Sequence, residues 1–174
     1  MIHKRIPGRD ASSFSAGLPK TLGEKLHSRS VDHPQPVQVA LGCDGQYFMM
    51  LDSGRYYWSV FEPEVRDYMD RNTKFGFDHV CLGSNNGVSM YFISTRKNGY
   101  FIWNTPQQFK GLVSKYQVDA TALGPNGEWF VRYHGDQIAY GNVGTEFKNA
   151  IREFKDRVKS VKFGNNCTYL IRYT

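Results

Sequence analysis

The chain has no apolar run approaching the length of a membrane span, no CxxC pair, no GxGxxG or Walker loop, and few cysteines. Each absence removes a class. The three cysteines, Cys43, Cys81 and Cys167, make an odd set without metal-ligand spacing, which argues against a disulfide framework and a zinc site. Free thiols in a reducing compartment are expected. The opening stretch, MIHKRIPGRDASSFSAG, holds no apolar core of a secretory signal, so the expected location is cytoplasmic or nuclear. The sequon Asn166-Cys167-Thr168 would matter only outside the cytosol and reads as chance. The histidines, His3, His27, His33, His79 and His134, are scattered, with no i, i+4 pair and no nucleophile motif beside them. Glu62 and Glu64 fall at a helix start, where the helix dipole favours negative charge. The expectation is a protein that is not an enzyme and has no catalytic residue, metal or cofactor.

Acids are scarce beside bases, 16 Asp and Glu against 22 Lys and Arg, giving a formal charge of +6. An anionic partner is permitted by this, whether nucleic acid, phospholipid headgroups or an acidic protein, but not required. The densest basic stretch, KNAIREFKDRVKSVK, puts Lys148, Arg152, Lys155, Lys159 and Lys162 at helical spacing, offset by Glu153 and Asp156. Such a run reads either as a solvated helix face or as a nucleic-acid-binding helix.

What the chain has in quantity is aromatic residues, 15% of the total, and 17 glycines, a mixture that suits short strands and tight turns. A length of 174 residues suits one domain with a real core. Within it the segment ALGCDGQYFMMLDSGRYYW (40–58) returns as ALGPNGEWFVRYHGDQIAY (122–140). Gly42, Gly83, Gly124 and Gly164 are spaced by 41, 41 and 40 residues. That constancy marks a repeat architecture.

Each copy reads as a meander. A first strand carries Val39, Val80, Thr121 or Val161 in one register, with Ala40, Cys81 and Ala122 small in the next, which suggests crowding there. Asp44-Gly45, Asn86-Gly87, Asn126-Gly127 and Asn165-Asn166 supply hairpin turns. A second strand follows with Tyr47-Phe48, Tyr91-Phe92, Trp129-Phe130 or Tyr169-Leu170, and a third with Tyr57-Trp58, Ile102-Trp103 or Ala139-Tyr140. Between meanders, PEVRDYMDRN (63–72), PQQFKGLVSKY (106–116) and TEFKNAIREFKDRV (145–158) have helical periodicity, as does LPKTLGEKLHSR (18–29). The last copy stops after its second strand, while DASSFSAG (10–17) stands where a third strand would precede the first helix. The predicted fold is mainly β with short helices, a single repeat domain over 1–174. Its closing strand and helix lie at about 10–29 and its repeats at about 36–72, 77–116, 118–158 and 159–174. Closure into a small four-bladed propeller-like ring, the N-terminal strand pairing with the C-terminal hairpin, removes the exposed edges that the alternative, an open α+β array, leaves bare.

In the third repeat, Val118-Asp119-Ala120 through Trp129-Phe130, and the first, Tyr47-Phe48 through Tyr57-Trp58 and Pro63, the chain resembles a hemopexin-type four-bladed propeller over about 160 residues. The resemblance implies an acidic inner-strand position at Asp78 and Asp119. That position is Val37 in the first repeat and Lys159 in the last, which argues against a shared axial ion site and leaves Asp78 and Asp119 solvated or paired with Lys159. The first-to-last-blade disulfide of the family has no equivalent either, because Cys43 and Cys167 occupy different turn positions.

Function is expected to be non-catalytic binding. Foremost is protein–protein interaction through loops on one face, with the turn of repeat 2, Gly83 to Ser89, three residues longer than its counterparts and offering Asn85 and Asn86. Arg132, His134 and Asp136 are candidates because the copies do not share them. Lys148, Arg152 and Lys155 are candidates on the basic helix. Lectin-like or small-ligand binding between blades would use Trp58, Trp103 and Tyr140, although equivalent aromatics in each blade also read as inter-blade packing. Nucleic-acid binding would use the 148–162 segment, without any known base-reading module.

Overall fold

A computed structural model describes residues 19–27, 34–59, 61–97, 99–165 and 168–174. Each repeat is a helix followed by an antiparallel meander. The first has α1 (Lys20–His27), β1 (Pro36–Leu41), β2 (Tyr47–Leu51) and β3 (Tyr56–Ser59). The second has α2 (Pro63–Asn72), β4 (Phe77–Asn85), β5 (Val88–Thr95) and β6 (Tyr100–Trp103). The third has α3 (Gln107–Lys115), β7 (Val118–Leu123), β8 (Trp129–Tyr133) and β9 (Gln137–Gly141). The fourth has α4 (Thr145–Phe154), β10 (Val158–Phe163) and β11 (Tyr169–Tyr173). Among the described residues this is a mainly β chain with four short α-helices, three three-stranded sheets and one two-stranded sheet. The expected strand at 10–17 lies outside the described residues.

The helices are equivalent residue by residue. Their third positions, Leu22, Val65, Phe109 and Phe147, are all buried, and their seventh positions are Leu26, Met69, Val113 and Ile151. That i, i+4 spacing puts both side chains on one face, which is why short helices suffice to cover a sheet. The helix α4 ends earlier than its periodicity predicts. Lys155 leaves helical geometry at φ 11°, ψ −95°, a single 3₁₀ turn follows, and Val158 pairs with Tyr173 in β10. Lys159 and Lys162 are therefore strand residues, and the basic helix is shorter than 148–162.

The core divides by junction. One cluster joins Ala40 and Phe48 of repeat 1, through Val65 and Met69 of α2, to Val80, Leu82, Tyr91 and Ile93 of repeat 2. The next runs from Cys81 and Phe92 through Phe109 and Val113 to Leu123, Trp129 and Val131. A third joins Ala122 and Phe130 through Phe147 and Ile151 to Val158 and Val161. The fourth cluster, Leu22 with Tyr47, Met49 and Leu51, holds only α1 and repeat 1.

The repeated Leu-Gly pair has a packing explanation. A Cβ on Gly83 would lie 2.7 Å from Leu123 Cβ, and one on Gly124 would lie 3.0 Å from Phe163 Cβ. On Gly42 it would lie 3.3 Å from Leu82 Cβ. Each Leu or Phe is thus seated on the glycine of the preceding repeat, most tightly at Gly83, where a Cβ would also lie 2.7 Å from the backbone oxygen of Gly124. The fourth seat differs. The three atoms nearest a Cβ on Gly164 all belong to Thr168 of the same repeat, and Leu41 is 47% exposed where Leu82 and Leu123 are 3% and 6%.

Register corrects one sequence equivalence. Trp58 and Tyr140 stand opposite Phe48 and Phe130, but Trp103 stands opposite Tyr91, and it is Ile102 that faces Phe92. A one-residue offset moves a side chain to the other sheet face. Trp103 therefore is not the counterpart of Trp58; it stacks on Phe101 with ring centroids 6.2 Å apart.

Candidate functional site

The inner strands β1, β4, β7 and β10 are successive neighbours, and all four end at one cavity of about 570 Å³. Its wall repeats the same positions around the chain: Leu41-Gly42, Leu82-Gly83, Leu123 and Phe163-Gly164. Cys43, Asp44, Ser84, Pro125 and Asn165 add the turn chemistry, and Pro19 lies among them. A lining that mixes apolar side chains with polar turn groups follows directly from a repeat that places Leu-Gly at a strand end and a hydrophilic turn immediately after it.

Beside the cavity projects the β4–β5 hairpin. The expected long turn is not a loop: Ser84 pairs with Ser89 and Asn85 with Val88, leaving a two-residue turn at Asn86 (φ 50°) and Gly87 (φ 77°). Positive φ at both residues is the twist-matched hairpin geometry that Asn-Gly favours. The extra residues therefore lengthen the strands. They also bind repeat 2 to repeat 3, since Ser84 N donates to Gly124 O at 2.9 Å and Gly127 N donates to Ser84 O at 2.7 Å. The hydroxyl of Ser84 adds a bond to Pro125 O at 2.7 Å. Asn85, Asn86 and Val88 at the tip are exposed.

Polar groups behind the turns are satisfied. Gln46 Nε2 donates to Ser89 Oγ at 3.1 Å, linking repeats 1 and 2. The buried Glu128 carboxylate accepts from Asn126 N at 2.7 Å and Asn126 Nδ2 at 3.0 Å. Asn104 and Asn142, both at positive φ after the third strand, donate through Nδ2 to Ser89 O and Gly127 O. These asparagines were not singled out in the sequence, yet their shared place between the third strand and the next helix was a readable signal.

The other candidates lie elsewhere. Arg132 is half-buried on β8, with Nη1 3.5 Å from Val158 O of repeat 4 and Nε buried without a partner. Much of it serves the junction. His134 (φ 52°) and Gly135 form the β8–β9 turn at the far end of the sheet; His134 is exposed, 6.3 Å from the Tyr116 ring, and Asp136 is exposed beside it. Lys148 and Arg152 are exposed on α4, Arg152 donating to Asn149 Oδ1 at 3.4 Å, and Lys155 is exposed in the 3₁₀ turn. Hairpin tip, opposite turn and outer helix are three separate places, so the structure does not assemble these residues into one site. Trp58, Trp103 and Tyr140 are half-buried against core clusters.

Several titratable groups are held inside. Tyr91 donates its hydroxyl hydrogen to Glu62, and burial, then that carboxylate, raises the phenol well above its ordinary value. Glu62 thus ties α2's entry to repeat 2, beyond the dipole role expected of it; it makes no side-chain cap bond. Burial raises the Cys81 thiol, which lies 2.9 Å from Thr121 Oγ1. Cys43 and Cys81 are free thiols, as expected, and Cys167 lies outside the described residues. Burial also lowers His79, against the opposing pull of Asp78 and Asp119, with Lys162 of repeat 4 adding to the lowering. Asp78 pairs with Arg96 at 3.4 Å and not with Lys159. Asp119 is exposed and makes no ion pair among the described residues. No group of three or more His, Cys, Asp or Glu that could hold a metal occurs among the described residues, and no helix among them is long and apolar enough to cross a membrane. Comparison with protein families, with curated proteins and with solved structures finds no match to the chain.

Proposed function

We propose that the four repeats form a propeller-like ring of the hemopexin-like kind and act as a non-catalytic protein-interaction module, docking a partner on the face that holds the cavity and the β4–β5 hairpin. One observation carries this reading. The same Leu-Gly position of every repeat opens onto one cavity, and beside it stands a hairpin with exposed Val88, Asn85 and Asn86. A recess of mixed polar and apolar lining takes a partner's amphipathic anchoring side chain, and the two-residue-turn hairpin next to it adds contact area without ordering a loop. Support for a ring comes from the cavity itself, which the first repeat and the fourth line together through Leu41-Gly42 and Phe163-Gly164.

The test is affinity capture from the native cell, wild type against Val88→Glu and Leu41→Arg, both at exposed positions that leave the core intact. A stoichiometric partner retained by wild type and lost by both variants is the expected result. A partner lost only when Lys148 and Arg152 are changed to Glu would move the interface to the outer helix.

A second reading has a specific observation behind it. Residues 145–174 hold seven lysines and arginines against three acids, so most of the net charge sits in the last repeat. Nucleic-acid binding there would weaken steeply with salt, and a flat salt response removes it.

A further inference from the structure

Whatever the partner, among the described residues the fourth repeat has two strands where the others have three, and the surface where a third would lie has a defined register. Among the described residues β11 pairs only with β10, whereas its counterparts β2, β5 and β8 are paired on both sides. Leu170 is 68% exposed although its counterparts Phe48, Phe92 and Phe130 are buried. Val37 and Leu41 of the first repeat are exposed as well, and Leu41 lines the cavity with Phe163 of the fourth. An unpaired edge beside exposed apolar side chains is a strand-acceptor surface.

We propose that this surface takes residues 13–16 of the same chain, which lie outside the described residues. The three complete repeats supply the register. Their third strands end at Ser59, Trp103 and Gly141, each four residues before the helix starts at Pro63, Gln107 and Thr145. The helix α1 starts at Lys20 and is equivalent to the others through Leu22, so the corresponding end is Ala16. In every complete repeat that last residue stands opposite the first aromatic of the middle strand's Tyr-Phe or Trp-Phe pair, Tyr169 in the fourth: Ser59 opposite Tyr47, Trp103 opposite Tyr91, Gly141 opposite Trp129. The same rule sets Ala16 opposite Tyr169, Ser15 opposite Leu170, Phe14 opposite Ile171 and Ser13 opposite Arg172.

Side-chain chemistry agrees with that register. Phe14, the large apolar residue of 10–17, falls at the position of Tyr57, Phe101 and Ala139, which pack into core clusters beside a helix. Opposite Ile171 it would meet the cluster of Phe147 and Ile151. Ser15 stands where the other repeats carry Trp58, Ile102 and Tyr140, so this junction stays less filled than the rest even with the strand in place. The connection is short enough: Pro19, directly before α1, already lies at the cavity among Leu41, Phe163 and Gly164.

The test uses the full chain carrying Cys43→Ser and Cys167→Ser, with Ser15→Cys and Leu170→Cys added. Facing residues of an antiparallel pair lie within disulfide reach, so mild oxidation is expected to give an intrachain bond in a monomer. The shifted pair, Phe14→Cys with Leu170→Cys, is expected to form it at least about fivefold less, because a one-residue shift points the side chains to opposite faces. Equal yields, no bond, or a disulfide-linked dimer overturn the proposal, the last by making a second copy the occupant. Independently, Ser15→Pro is expected to speed amide exchange across 169–173 by about tenfold or more while leaving 47–51 unchanged. Unaltered exchange at 169–173 overturns it too.

Discussion

The junction between repeats 2 and 3 and the two end repeats, 1 and 4, use the same Leu-Gly vocabulary and end in opposite states. At the first, Leu123 sits on Gly83, α3 fills the interior with Phe109 and Val113, and the Ser84 bonds close the outer edge. At the ends, Leu41 is exposed, the atoms nearest a Cβ on Gly164 belong to Thr168 of its own turn, and α1 packs, among the described residues, on Tyr47, Met49 and Leu51 of repeat 1. The motif supplies a seat. Whether it is filled depends on what the neighbouring repeat brings, and the last repeat carries Lys162 and Leu170 where the others carry Ala or Cys and Phe.

The largest contrast comes from truncating the seated residue. Leu82→Ala removes a buried side chain between repeats 1 and 2 and is expected to cost about 3 kcal/mol, whereas Leu41→Ala, half in solvent, costs under about 1 kcal/mol. Chemical denaturation of both variants measures the gap. Similar losses would mean that the fourth junction is packed like the others.

Filling the seat from below sharpens the same comparison. Gly83→Ala would bring a methyl to 2.7 Å from both Leu123 Cβ and Gly124 O, and a backbone oxygen cannot swing aside. About 2 kcal/mol of destabilisation is expected. In Gly164→Ala the obstruction is the Thr168 hydroxyl at 2.6 Å, the end of an exposed, rotatable side chain. That relief, with the lower entropy of an unfolded chain carrying Ala, leaves a change within about 0.5 kcal/mol. A smaller effect follows at the repeat 1 to repeat 2 junction, where Tyr91→Phe leaves the Glu62 carboxylate without its hydroxyl donor. It is expected to cost about 1 kcal/mol by thermal or denaturant unfolding, and Glu62→Gln, which can still accept the bond, less.

Much of this fold was legible because repetition makes the sequence its own alignment. Four glycines at near-constant spacing located every first strand, and proline at position 63 opened α2 where expected. Legibility failed where a residue's role depends on the neighbouring repeat. Trp103 looked like Trp58 until pairing showed it one residue out of step. Lys159 and Lys162 kept helical spacing from Lys155, yet the β-branched pair Val158 and Val161 won that stretch for a strand paired with β11. Of the candidate site, Asn85 and Asn86 were recognisable from the longer hairpin, whereas Ser84's bonds to repeat 3 were not, because they span two repeats. Arg132 and His134 were chosen for being unshared, and the structure places the first in a junction and the second in a turn that needs positive φ.

The finest probe of the comparison is His79, which stands where inner strands converge and senses the fourth repeat. Around it lie Asp78 and Asp119, Lys162, the Val118 carbonyl, and the Phe92 ring at 6.5 Å. Burial is the leading influence and favours the neutral ring, so the folded chain binds a proton less readily than the unfolded one, whose value is near 6.5. The stabilisation is complete above that value and is lost as pH falls from it through the lower folded value. Stability should therefore rise as pH increases toward and just past 6.5, and His79→Gln should flatten that part of the profile. Lys162→Met removes the smallest of these influences and is expected to lift His79 slightly, with less effect on the slope than His79→Gln. A steeper slope would mean that Lys162 does not act against the charged imidazole.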